Sequence, residues 1–81
     1  MSVISLLPLK PNCTELRIGN TIILFSYQTA VAARHNGKLY RTEEHYSTTT
    51  SRHINYWLSF FSDGDSAETV PASFFDEIQN S

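Results

Sequence analysis

The spacing of the apolar residues changes once along the chain, near residue 47, and this change sets the order of secondary structure. Between residues 14 and 42, short runs of apolar and polar residues have the two-residue period of β-strands. After residue 47, Ile54, Trp57, Leu58 and Phe61 follow the i, i+3, i+4, i+7 spacing of one helix face. Strands followed by a helix predict the α+β class.

Two short turns divide residues 14–42 into two hairpins. Gly19-Asn20 and Asn36-Gly37 are dipeptides that favour two-residue hairpin turns, where the backbone needs positive φ. Residues 22–25 are apolar on both faces, so we expect a central strand or one whose outer face meets a partner. These hairpins predict a three- to four-stranded antiparallel sheet.

The register of the second hairpin predicts which side chains share a face of the sheet. Pairing His35 with Lys38 places Val31, Ala33 and Tyr40 together. The opposite face is then expected to hold Ala30, Ala32, Arg34, Leu39 and Arg41.

Two helices and an N-terminal segment complete the predicted architecture of one small domain over 1–81. Hydroxyl residues 47–51 can cap a helix over 48–62 that packs across the sheet, and Gly64 is typical of a left-handed helix stop. Pro71 suits the first turn of a short helix over 71–79. Residues 1–13 are expected to form an arm or strand, with Pro8 and the next proline disfavouring regular structure around residues 9–10.

Composition places this domain in a reducing compartment. The chain has 81 residues and a single cysteine, Cys13, whereas small secreted domains usually carry several disulfides. The apolar run within residues 3–9 is too short to span a bilayer and lacks the basic region of a signal peptide. We therefore expect a cytoplasmic protein without membrane contact.

Patterns that carry catalysis or metal chemistry are missing from the sequence. No Gly-x-Ser-x-Gly turn, Gly-Lys-Ser/Thr phosphate loop or close pair of Cys and His ligands occurs. We predict a protein that is not an enzyme, with no catalytic residues, no cofactor and no metal site.

Charge is distributed unevenly along the chain, and this suggests two alternative functions. Residues 1–53 hold all six Lys and Arg, while residues 63–81 hold five acids and no basic residue. The basic hairpin and the helix start are one candidate surface for single-stranded nucleic acid. The helix start alone is a candidate site for a small anion, although helix capping is the favoured interpretation of its hydroxyls. The residues for both alternatives are Arg34, Lys38, Arg41, Thr49, Thr50, Arg52 and His53.

Two stretches of the chain resemble a family of small, uncharacterised proteins from bacteriophages and mobile elements. The first is Phe-Ser-Tyr-Gln-Thr-Ala-Val-Ala over residues 25–32, where Ala30 replaces a frequent proline. The second is Ser-Thr-Thr-Thr-Ser-Arg-His-Ile-Asn over residues 47–55. The resemblance covers about residues 14–58 and implies an origin more than a function. It draws attention to His53 and Asn55, which we interpret as a structural lock between the helix start and the hydroxyl segment or strand residues 27–29.

These observations favour an accessory protein of a phage, acting in the host cytoplasm by binding a host or phage protein and inhibiting or redirecting it. Small size, the lack of a catalytic set and surplus apolar surface motivate this prediction. The same surface is expected to support homo-oligomers. The predicted partner-binding residues are Ile22, Leu24, Tyr56 and Phe60.

Overall fold

One six-stranded sheet with a helix on each face forms the structure. A computed structural model describes residues 4–61 and 64–79. The strands lie side by side in chain order, and the helices follow the fifth and sixth strands. The elements are β1 (Ile4–Lys10), β2 (Cys13–Ile18), β3 (Thr21–Ser26), β4 (Thr29–His35), β5 (Lys38–Thr42), α1 (Thr48–Leu58), β6 (Glu68–Val70) and α2 (Ser73–Gln79).

The sheet is antiparallel from β1 to β5, and β6 pairs with β5 in parallel. Parallel neighbours need a long crossover, and the segment containing α1 supplies it. The predicted α+β class is confirmed. The sheet is larger than the predicted three to four strands and is mixed rather than antiparallel throughout. Strand β6 has only three residues, too few to show a two-residue period.

Strand β1 corrects the prediction of irregular structure around the first two prolines. Its residues pair with β2 from Ile4 to Lys10, with a register shift between Pro8 and Lys10. Proline is tolerated here because β1 has a strand neighbour on one side only and contains an irregularity, the two settings that accept a missing amide donor. Residues 1–3 of the predicted arm lie outside the described residues.

Both predicted hairpin turns form, and the second has the expected closing pair. Ile18 pairs with Thr21 and His35 pairs with Lys38. Gly19 has φ of 56°, and Asn36 and Gly37 have φ of 53° and 81°. These left-handed values explain why the turns use Gly and Asn.

A β-bulge changes the predicted faces of β4. Leu24 pairs with Ala32 and Phe25 pairs with Ala30, so Val31 is an extra residue between them. As a result Val31 packs with Ala32 in one core, whereas Ala30 packs in the other. The prediction that Val31 shares a face with Ala33, and Ala30 with Ala32, is therefore wrong.

Two hydrophobic cores sandwich the sheet. We call the sheet surface beneath α1 the α1 face and the opposite surface the α2 face. The core on the α1 face is built from Cys13, Leu24, Val31, Ala32, Leu39, Ile54, Trp57 and Leu58. The core on the α2 face is built from Ile23, Ala33, Val70 and Phe75. Apolar side chains on both faces of β3 therefore reflect its central position, one of the two predicted explanations.

The helices are shorter than predicted. Ser47 is the N-cap of α1, and its hydroxyl accepts a hydrogen bond from the amide of Thr50. The helix ends at Leu58 instead of continuing to residue 62, which lies outside the described residues. Gly64 does not have the left-handed backbone of the predicted stop; it sits so close to the Leu58 carbonyl that a Cβ has no room. The second helix begins at residue 73, two positions after the predicted start.

Candidate functional site

A chain of hydrogen-bonded hydroxyls fastens the start of α1 to the end of β3. The hydroxyl of Ser26 lies 3.0 Å from that of Thr50 and 2.8 Å from Nδ1 of His53. Ser47 in turn donates to the Thr50 hydroxyl at 3.2 Å. If Thr50 donates to Ser26 and Ser26 donates to His53, each hydroxyl donates once. We call Ser26, Ser47, Thr50 and His53 the hydroxyl cluster.

A second polar contact joins the middle of α1 to β2. The indole N–H of Trp57 donates to Oε1 of Glu15 at 2.9 Å, and Nε of Arg17 donates to Oε2 at 2.8 Å. Glu15 and Trp57 are both buried, whereas the Arg17 side chain is 55% exposed. In the part of the chain that the structure describes, no buried side-chain nitrogen or oxygen lacks a hydrogen-bond partner. Glu15 was not predicted, because the sequence gives no signal that links it to Trp57, 42 residues away.

The hydroxyl cluster places the two stretches that carry the family resemblance against each other. Ser26 belongs to the first stretch, and Thr50 and His53 belong to the second. The partner of His53 is thus Ser26, one residue before the predicted residues 27–29, although the Tyr27 ring lies 6.3 Å from the His53 ring. Asn55 is exposed and belongs to the outer side of α1.

The predicted anion-binding residues at the helix start separate into two groups. Thr50 and His53 are buried on the side of α1 that faces the sheet and are bonded within the hydroxyl cluster, so they do not present donors to an external anion. Thr49 and Arg52 are exposed. The hydroxyl-rich sequence is therefore explained by helix capping and by attachment to the sheet.

The predicted partner-binding residues are also divided by the structure. Leu24 is completely buried beneath α1, and Ile22 is half-buried beside the same core, because α1 covers that face of β3. Leu24 is therefore removed from the predicted surface. Tyr56 is half-buried and Phe60 is 57% exposed, and their rings meet edge to face at 4.8 Å.

An exposed apolar surface, which we call the apolar patch, lies on the side of α1 nearest β2. His53, Tyr56 and Phe60 follow one flank of the helix, and the exposed Tyr27 lies beside His53. Leu7 of β1 is 43% exposed and pairs with Glu15, so it lies on the same sheet face as α1. The apolar patch consists of Leu7, Tyr27, Tyr56 and Phe60, of which the prediction included the last two.

The basic residues of the predicted hairpin do not share one face. Arg34 and Arg41 lie on the α1 face, since Arg34 contacts the Phe61 ring and Arg41 lines a groove beside α1. Lys38 pairs with His35 and alternates with Leu39, which places it on the α2 face. Arg17 joins Arg34 on the α1 face, because Ile22 pairs with both. Arg17 was not among the predicted site residues, and its position on this face follows from the pairing of β2 with β3.

Neither α1 nor α2 is long and apolar enough for a helix that crosses a membrane. Within residues 4–61 and 64–79, no three His, Cys, Asp or Glu side chains come close enough together to hold a metal ion.

Comparison with known proteins gives one match. Residues 5–77 match a family that is described as a family of unknown function (DUF8033). No curated protein and no solved structure matches the chain.

Proposed function

The chain belongs to DUF8033, a protein family of unknown function, and we propose that it is a non-enzymatic accessory protein that binds another protein through the apolar patch. We also propose a phage or mobile-element origin and a cytoplasmic site of action in the host. The resemblance of the strand and helix-start motifs supports that origin.

The observation that carries this proposal is the exposure of aromatic rings beside α1, one just after its end and one in the turn between β3 and β4. Phe60 and Tyr27 are 57% and 53% exposed, although large apolar side chains gain free energy by leaving water. Aromatic residues are enriched at protein interfaces, where they fill pockets of the partner and dominate binding. The patch thus supports a partner that buries these rings.

The position of the patch beside β1 suggests how a partner binds. Among the described residues, strand β1 has a neighbour only on the β2 side, so its other edge offers backbone groups for pairing. Leu6 is 67% exposed on the α2 face of β1, while Leu7 is exposed on the α1 face. A partner segment that extends the sheet at β1 would contact these side chains and the aromatic flank together.

Site-specific photo-crosslinking tests this proposal. A photoreactive phenylalanine analogue at position 60 is expected to capture one host or phage protein in lysate, and the same protein from position 27. The analogue at position 55 serves as the control, because Asn55 is an exposed residue of the same helix on the flank that faces the groove beside Arg41.

The captured protein is then purified and its affinity measured. Tyr56→Ala/Phe60→Ala is expected to weaken binding about tenfold or more, as for hot-spot residues, whereas Asn55→Ala is expected to change affinity little. Crosslinks only to a second copy of the chain would replace the foreign partner with self-association. Equal capture from positions 55 and 60 would contradict the proposal.

A further inference from the structure

Beyond the end of α1, arginine side chains form a row across the uncovered part of the α1 face. Arg17 on β2, Ile22 on β3 and Arg34 on β4 are directly paired, so their side chains point to the same side. The two arginines are separated by two strand spacings, about 10 Å. Arg41 on β5 pairs with Ala32, which is two residues before Arg34 on β4. Arg41 therefore lies on the same face as Arg34 and nearer to α1. We call Arg17, Ile22, Arg34 and Arg41 the arginine row.

Two of the three arginines in this row have no ion-pair partner among the described side chains. Glu15 bonds Arg17, while neither Arg34 nor Arg41 forms an ion pair with a residue in 4–61 or 64–79. The other described carboxylates lie in the loop before α1, on β6 or on α2, at Glu43, Glu44, Glu68, Asp76 and Glu77. Arg34 and Arg41 therefore contribute positive charge that no described carboxylate pairs with, on a chain whose net charge is −2.

The arginine row also has an aromatic contact and two neighbouring grooves, which add to its positive charge. The Arg34 guanidinium lies over the Phe61 ring, with its central carbon 5.3 Å from the ring centroid, the arrangement of a cation–π contact. On one side of this pair, a groove of about 360 Å³ is bounded by Arg34, Ile22 and the two hairpin turns. On the other side, Phe61 and Arg41 line a second groove of about 530 Å³ together with Asn55.

We propose that the arginine row binds single-stranded nucleic acid. Guanidinium groups bind phosphates in a bidentate manner, and their flat faces stack on bases. Ile22 and the Arg34–Phe61 pair provide an apolar surface on which a base stacks. The base faces of a single strand are accessible for this contact, whereas those of a duplex are stacked on one another. An acidic peptide satisfies the arginines but has no planar group for this surface. The row is separate from the apolar patch, so this inference does not depend on the proposed protein-binding function.

Fluorescence anisotropy with labelled oligothymidylate and oligouridylate, each of 20 nucleotides, tests the proposal. We expect binding at 20 mM NaCl that weakens with salt, with a log–log slope of about −2 for three phosphate contacts on a single strand. Arg34→Ala/Arg41→Ala is expected to weaken binding at least tenfold and to bring the slope to about −0.7. Lys38→Ala/Arg52→Ala removes the same charge outside the row and is expected to have a much smaller effect.

Two further measurements separate this proposal from general charge attraction. Arg34→Lys/Arg41→Lys keeps the charge and is expected to lose part of the affinity, because lysine lacks the planar fork and the stacking face. A duplex of the same length and a polyglutamate peptide are expected to bind more weakly than the single strand. Absence of binding at 20 mM NaCl, equal binding of duplex or polyglutamate, or equal losses in the two alanine pairs would overturn the proposal. Circular dichroism melting confirms that each variant is folded.

Discussion

The α1 face of the sheet has a covered part and an uncovered part, and both carry polar side chains with different roles. Beneath α1, Glu15 and Ser26 are buried and bonded to helix residues. Beyond α1, Arg17 and Arg34 are exposed. The difference teaches that a polar residue on a strand stabilises the fold where a helix covers it, and is free for recognition where the helix ends.

The largest effect that tests this comparison is expected from removing Trp57, the centre of the covered part. Trp57→Ala deletes a fully buried ring and leaves the buried Glu15 carboxylate without its indole donor. We expect a loss of about 3–5 kcal/mol in the free energy of unfolding, measured by urea titration. A domain of this size has only about 4–12 kcal/mol in total.

Phe60→Ala is the matched control for this variant, since it removes an exposed ring just beyond the end of the same helix. Its expected change in the free energy of unfolding is within about 0.5 kcal/mol. Similar losses for the two variants would show that the covered and uncovered surfaces do not differ as described.

Ser26 provides the next largest effect, because it connects the strand to the helix in the hydroxyl cluster. Ser26→Ala leaves Thr50 and His53 without the hydroxyl that each contacts. We expect a loss of about 1–3 kcal/mol in the free energy of unfolding. Ser59→Ala, which removes an exposed hydroxyl bonded within its own helix, is expected to have little effect and serves as the control.

Much of this covered region could be predicted from sequence wherever the signal is local. The Gly19-Asn20 and Asn36-Gly37 turns set the register, and the hydroxyls before the apolar helix residues located the start of α1. The contacts of Ser26 with His53 and of Glu15 with Trp57 join residues 27 and 42 positions apart, so no local pattern specifies them. For this reason the sequence did not show that the Thr50 hydroxyl, predicted for an anion site, bonds Ser26 and joins the helix to the sheet.

Features with weak local signals were missed for related reasons. The three residues of β6 are too few for a period, and they pair only because the α1 crossover brings them beside β5. The bulge at Val31 depends on the pairing of β3 with β4, which the strand's own alternation does not reveal. The arginine row likewise needs the β2–β3–β4 register, so single residues could be predicted but not their alignment.

Ser47 lies at the start of α1, at the edge of the covered part. Its replacement is expected to lower the free energy of unfolding less than that of Ser26. Its hydroxyl caps α1 and also donates to Thr50. Ser47→Ala is expected to lower the free energy of unfolding by about 1 kcal/mol, the usual value for an N-cap. Thr49→Ala alters a neighbouring exposed hydroxyl and is expected to change stability by a few tenths of a kcal/mol at most. An equal cost at both positions would mean that the cap is not specific to Ser47.

The smallest effect on stability is expected from the uncovered part itself. Arg34 contributes its cation–π contact with Phe61, which at an exposed site is worth about 0.5–1 kcal/mol. Arg34→Ala is therefore expected to lower the free energy of unfolding by less than about 1 kcal/mol, measured by the same urea titration. A loss as large as that of Ser26→Ala would place Arg34 among the residues that hold the sheet and helix together. The uncovered surface would then belong to the fold, and the distinction between the two parts of the α1 face would fail.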